Sequence, residues 1–93
     1  MKYQIIYHTD AQYEIIQVKK WYKEQQNGLE RRFVISLKET INFILDNPLS
    51  FEVKYRNTRV AFTKTFPFGI HYLFDNNKII LLTILHTSKN PIV

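Results

Sequence analysis

Nine residues near the carboxy terminus, Lys78 to His86 (KIILLTILH), constrain the fold of this chain most. Their apolar side chains do not alternate with polar ones. In an extended conformation Ile79, Leu81 and Leu85 occupy one face and Ile80, Leu82 and Ile84 the other. A strand that is apolar on both faces belongs in the middle of a sheet with cover on both sides. The remaining residues must therefore supply its neighbours and its covering layers.

The neighbours lie just upstream, in Thr58 to Phe74 (TRVAFTKTFPFGIHYLF). Two strands are predicted there, Arg59 to Thr65 and Gly69 to Phe74, joined at a Phe66-Pro67-Phe68-Gly69 corner. Pro67 has no N–H to give to a ladder, so it marks the connection. Phe68, Ile70, Tyr72 and Phe74 share one face of the second strand, and Gly69, His71 and Leu73 share the other. Asp75-Asn76-Asn77 carries strong turn chemistry before the final strand. Lys2 to Tyr7 (KYQIIY) is a further short strand, and Phe51 to Arg56 is expected to add a ragged edge segment.

The covering layer comes from two helices. Thr9 is the expected N-cap of the first, with Gln12 at capping-box spacing and Asp10 suited to the positive end of the helix. Ala11, Ile15, Val18 and Tyr22 form one apolar stripe, which Trp21 is expected to widen, while Lys19, Lys20 and Lys23 face elsewhere. Asn27-Gly28 is the expected left-handed C-cap. In the second helix Leu29, Phe33, Leu37, Ile41, Ile44 and Leu45 recur at helical spacing, and Asn47-Pro48 stops it. A short turn between two striped helices predicts an antiparallel helical hairpin, buried most economically against the sheet. The fold class is thus α+β: a helical hairpin on a small, mostly antiparallel sheet, in the order β-α-α-β-β-β, as a single domain over residues 1–93. The hairpin covers one face of the sheet. The other is expected to receive a second chain, or else cover from loops and the edge segment.

Composition narrows the chemistry. A net charge of +5 and a pI near 9.6 favour an acidic partner such as nucleic acid, the ribosome or an acidic protein segment. The 93 residues are 45% hydrophobic and 15% aromatic, enough to bury a core and argue against disorder. The absence of cysteine excludes disulfides, thiolate metal sites and a cysteine nucleophile. No apolar run approaches membrane-spanning length, and the amino terminus does not read as a signal peptide, so a cytoplasmic location is expected. His8, His71 and His86 lack ligand spacing and a companion carboxylate cluster, so neither metal nor other cofactor is expected.

What remains is a basic and aromatic set. Lys54, Arg56, Arg59, Lys64, His71, His86 and Lys89 interleave with Tyr55, Phe62, Phe66, Phe68 and Tyr72. Cations neutralise phosphate and aromatics stack on bases, which suits RNA or single-stranded nucleic acid. A metal-free ribonuclease would need an acid and a base, for which His71 and His86 are candidates. It would also need cations for the charged phosphorane, for which Arg59, Lys64 and Lys89 are candidates. The same composition equally describes cations on a solvated strand face above a core of aromatics.

Trp21-Tyr22, Asn27-Gly28-Leu29, Phe33 and Asn47-Pro48 occur in an order that resembles the RelE/ParE superfamily of small bacterial toxins. Arg59, Phe66-Pro67-Phe68-Gly69-Ile70-His71-Tyr72, His86 and Lys89-Asn90-Pro91 extend the resemblance over nearly the whole chain. It implies a helical hairpin on an antiparallel sheet and the toxin role in a type II toxin–antitoxin pair. The implied partner is a cognate antitoxin whose acidic or amphipathic carboxy-terminal segment covers sheet and hairpin, with oligomers formed through the antitoxin. RelE-like members cleave mRNA on the ribosome, whereas ParE-like members poison DNA gyrase. The RelE-like pattern places an arginine where this chain has Gly69 and a catalytic tyrosine in a tail that this sequence lacks. The FPF corner, the Asn-Gly-Leu turn and a histidine followed by a basic-Asn-Pro pattern resemble ParE-like members. The resemblance therefore implies a gyrase inhibitor that binds rather than cleaves, with Arg59, Lys64, His86 and Lys89 at the functional surface and Lys54 and Arg56 as further target- or RNA-binding candidates. The alternatives are a ribosome-dependent mRNA endonuclease, using His86 or His71 with Arg59, Lys64 and Lys89, and an inactive module that only binds the antitoxin.

Overall fold

The structure, a computed structural model, describes residues 3–88. Strand β1 (Gln4–Tyr7) leads into helices α1 (Thr9–Gln25) and α2 (Leu29–Asp46). Strands β2 (Val53–Tyr55), β3 (Thr58–Phe62), β4 (Phe68–Asp75) and β5 (Lys78–His86) follow. All five strands form one sheet in the order β1-β5-β4-β3-β2. Every pairing is antiparallel except that of β1 with β5, which is parallel: the helical hairpin carries the chain from β1 to β2 at the opposite edge, and β3 and β4 lead back to β5 beside β1. β5 lies inside the sheet, as its two apolar faces require. The edge segment expected within Phe51 to Arg56 is the three-residue β2, and the strand expected from Arg59 to Thr65 ends earlier, at Phe62.

The faces of β5 depart from simple alternation. His71 pairs with Thr83 but Tyr72 pairs with Leu81, so Leu82 is an extra residue in the ladder. This bulge moves every later side chain of β5 to the other face. Ile79, Leu81 and Ile84 reach the core, with exposures of 0%, 1% and 3%, while Leu85 pairs with Gly69 on the face away from the helices. Expected face-sharing by Leu85 with Ile79, and by Ile84 with Ile80, is corrected by that one insertion.

The helices form where the apolar period predicts, but their ends differ. His8 is the N-cap of α1: its Nδ1 accepts the Asp10 N–H at 3.1 Å, which takes the place expected for Thr9. At the other end Gln26 leaves the helix in an extended conformation, and Gly28, with φ of +95°, is the N-cap of α2 rather than a C-cap of α1. Its N–H donates to Glu30 Oε1 at 3.0 Å. Ala11 and Tyr22 are buried and Ile15 and Val18 pack beside them, but Trp21 is 55% exposed. It lies one residue, about 100°, around the helix from Tyr22, which turns it off the stripe.

Aromatic contacts fasten the hairpin to the sheet. Tyr22 of α1 and Phe33 of α2 meet Phe66 and Phe68 at the β3–β4 corner, with ring centroids 5.1 to 6.3 Å apart and mostly edge to face. Such pairs add about 0.5–1.5 kcal/mol each beyond the area they bury. Leu37, Ile41 and Ile44 continue the core along α2 against Ala61, Ile70 and Tyr72. The corner is closed by Thr63, whose hydroxyl donates to the carbonyls of Phe66 and Phe68. Two tight turns, Arg56-Asn57 and Asn76-Asn77, have positive φ at both residues, which suits the right-handed twist of hairpins β2–β3 and β4–β5.

On the sheet face away from the helices, Val60 and His71 are buried, Leu73, Ile80 and Leu85 are half-buried, and Phe62 is 57% exposed. Tyr55 at the sheet edge packs against His71. Cover from the edge segment is thus real but local.

Candidate functional site

The candidate residues divide among separate parts of the molecule. Arg59 on β3 shares the helix side of the sheet with its pairing partner Tyr72. Its Nη1 donates to the carbonyls of Phe51 at 2.6 Å and Leu49 at 3.3 Å. The guanidinium is therefore engaged in holding the loop after α2. Tyr72 supports the same loop by donating its hydroxyl to Pro48 O at 2.7 Å. Burial pushes the Tyr72 phenol up to about 12, with the charge of Arg59 pulling it part of the way back.

Lys64 lies in the loop between β3 and β4. Its ammonium sits 6.0 Å from the centre of the Phe43 ring, and its carbonyl accepts the hydroxyl of Ser36 from α2. Exposed Phe43 and Phe62 join it around a shallow hollow of about 660 Å3. Lys54 is exposed and pairs with Glu52 at 3.1 Å, which contributes little to stability in open solvent. Arg56 is exposed in the β2–β3 turn. Lys89 lies outside the described residues.

The two candidate acid–base histidines sit on opposite faces of the sheet. His71 follows Ile70 on β4 and points away from the helices. It is 4% exposed, with Nδ1 2.9 Å from the Tyr55 hydroxyl in a shared hydrogen bond. Burial pulls its pKa below the ordinary histidine value, so the ring favours neutrality. His86 pairs with Phe68 on the helix side, their ring centroids 5.5 Å apart. Its Nδ1 accepts the Ser88 N–H at 3.1 Å and is 2.8 Å from the Ser88 hydroxyl. A neutral ring held this way carries its proton on Nε2.

His86 lines a cleft with Gln17, Val18, Trp21, Tyr22, Pro67 and Phe68. Sequence reasoning placed His86 at the functional surface but assigned Trp21 to the core. The usable signal was the helical angle between Trp21 and Tyr22, since both cannot sit at the centre of one narrow stripe. A second groove crosses the outer side of the hairpin. Ile16, Val34 and Ile35 form its floor, and Lys19, Lys20, Lys23 and Arg31 outnumber Glu30 at its rim. The charges there come from both helices; the sequence pattern places Lys19, Lys20 and Lys23 off the apolar stripe but does not bring Arg31 and Glu30 beside them.

Gly69 has a steric role. A Cβ at that position would lie 2.9 Å from Val60 Cγ1 and 3.3 Å from Phe62 Cε1, so any side chain there requires a shift. The arginine of the RelE-like pattern has no ready space at this position. Among the described residues, no group of three or more His, Asp or Glu could hold a metal ion, and no helix is long and apolar enough to cross a membrane.

Comparison with known proteins agrees with this architecture. A search of curated proteins found no match. A chain of the chromosomal ParDE toxin–antitoxin system from P. aeruginosa superposes with a TM-score of 0.80 at 12% identity, covering 91% of this chain and 96% of that one. A chain of the toxin–antitoxin complex RelBE2 from Mycobacterium tuberculosis gives 0.66 at 16% identity, covering 92% and 99%. At such identities these likenesses establish the fold: two helices on a five-stranded mixed sheet, as in RelE/ParE proteins. The family model for the ParE toxin of the type II toxin–antitoxin system parDE matches residues 5–91, which takes in the hairpin, all of the sheet except Gln4, and His86. This chain belongs to the ParE toxin family of type II toxin–antitoxin systems.

Proposed function

We propose that this toxin arrests growth by binding DNA gyrase, without chemistry of its own. The observation that carries the choice is the dispersal of the groups an mRNA endonuclease would need. His71 is buried on one face of the sheet, His86 lies on the other, and the Arg59 guanidinium is occupied by two loop carbonyls. General acid–base catalysis needs its groups within reach of one substrate bond, and these residues do not converge. The crowding around Gly69 and the match to the ParE family support the same reading.

The proposed partner is a cognate antitoxin with an acidic or amphipathic segment. Both similar structures come from toxin–antitoxin assemblies, and the cation-rimmed apolar groove on the hairpin suits such a segment. Its anionic side chains would meet Lys19, Lys20, Lys23 and Arg31 while its apolar side chains covered Ile16 and Ile35, which are 60% and 57% exposed.

Pulse-labelling of protein synthesis, minutes after inducing the chain alone in a bacterium, separates the possible targets. Labelling is expected to continue while growth stops. A prompt collapse of labelling would replace this reading with mRNA cleavage on the ribosome and make His86 the first residue to mutate. Normal growth and labelling would leave only an antitoxin-binding module.

A further inference from the structure

Between α1 and the end of the sheet where β4 begins and β5 finishes lies a cleft of about 520 Å3. Trp21 and Tyr22 form an edge-to-face pair on its helical side, 5.2 Å apart, and Phe68 and His86 form another on its sheet side. Two properties define what would occupy it. Its lining carries no cation and no carboxylate among the described residues, in a chain whose net charge is +5. This uncharged lining contrasts with the cationic groove on the hairpin and is poorly matched to a phosphate backbone or an acidic segment. Its single titratable heterocycle, His86, is fixed by Ser88 so that the neutral ring offers an Nε2–H donor.

We propose that this cleft is the socket for an uncharged aromatic side chain of the protein target, with Trp21 as its anchoring wall and His86 as the donor to an acceptor on that partner. The proposal rests on the reading of the chain as a toxin that acts by binding a protein. Charge complementarity supports this occupant, since an uncharged side chain forfeits no ionic solvation on entering a lining that holds no lysine, arginine or carboxylate among the described residues. The geometry adds to it, because aromatic rings prefer edge-to-face neighbours and the cleft presents two such walls. Trp21 is a large side chain left 55% exposed beside this cleft, the kind of residue that dominates interface energetics when a partner desolvates it. Arg59, Lys64, Lys54 and Arg56 line none of the cleft.

The first test compares the wild type, Trp21→Ala and Trp21→Phe as inhibitors of supercoiling by purified gyrase, with thermal unfolding measured in parallel. Trp21 is exposed, so Trp21→Ala is expected to unfold close to the wild type while its inhibition weakens about tenfold or more, and Trp21→Phe is expected to recover most of it. Equal potency of Trp21→Ala and the wild type overturns the proposal.

The second test does not depend on the target. Trp21 is the only tryptophan in the chain, so selectively excited emission reports on the cleft directly. Titration with N-acetyl-tyrosinamide is expected to give a saturable change that His86→Ala weakens. No change, or one that only grows linearly with concentration, overturns the socket. If the wild type does not inhibit gyrase, that target assignment fails by itself and this titration decides the cleft.

Discussion

His71 shows how a residue's environment decides its role. The sequence presents it as a candidate acid or base, but its ring lies under Tyr55 and between Val60 and Thr83 in the ladder. Its hydrogen bond can survive protonation, because the Tyr55 oxygen can also accept. Burial is therefore what opposes the charge and lowers the pKa. The unfolded chain binds the proton at the ordinary value near 6.5, while the folded chain does so only at lower pH. Stability from neutral His71 is thus complete above about pH 6.5 and is lost as pH falls from there toward the lowered folded value. The thermal midpoint of the wild type is expected to drop more steeply below that pH than that of His71→Phe. Parallel curves would show that His71 titrates as freely in the folded state as in the unfolded one.

At the scale of elements, Gly69 and the β5 bulge explain what the sequence revealed and what it hid. Gly69 sits opposite Phe62 and Leu85 with Val60 close above its Cα. Gly69→Ala places a methyl 2.9 Å from Val60 Cγ1, and a β-branched side chain in a strand has little rotamer freedom to yield. Urea unfolding is expected to show a loss of about 1–3 kcal/mol, as overpacking typically costs. An unchanged midpoint would mean that β3 and β4 separate more easily than their contact indicates. The helical stripes, the Asn76-Asn77 turn and the bounds of β5 were all legible, because periodicity and turn chemistry are local properties. The bulge at Leu82 was not legible, since an inserted ladder residue depends on pairing with β4. The His8 cap escaped for a related reason: imidazole caps a helix only where its ring can turn back to Asp10 N.

The whole molecule separates its surfaces by chemistry. Cations gather along the outer groove of the hairpin, an uncharged aromatic cleft opens between α1 and the sheet end, and the far sheet face is only partly covered by Tyr55. The candidate site was legible as a list of residue types but not as an arrangement. Arg59 is diverted to Leu49 and Phe51, His71 and His86 are set on opposite faces, and Trp21 is turned outward by one residue of helical phase. The placements of Arg59, His71 and His86 follow from tertiary pairing, which residue types and spacing cannot convey, whereas that of Trp21 follows from helical phase alone. They also support the proposal that the chain acts by binding, where its composition equally suits a nuclease. The most direct test is the supercoiling of relaxed plasmid by purified gyrase, with the isolated toxin added in the absence of ribosomes and RNA. Dose-dependent inhibition, reversed by the cognate antitoxin, is the predicted result. Undiminished supercoiling at toxin in large excess over gyrase would contradict the account.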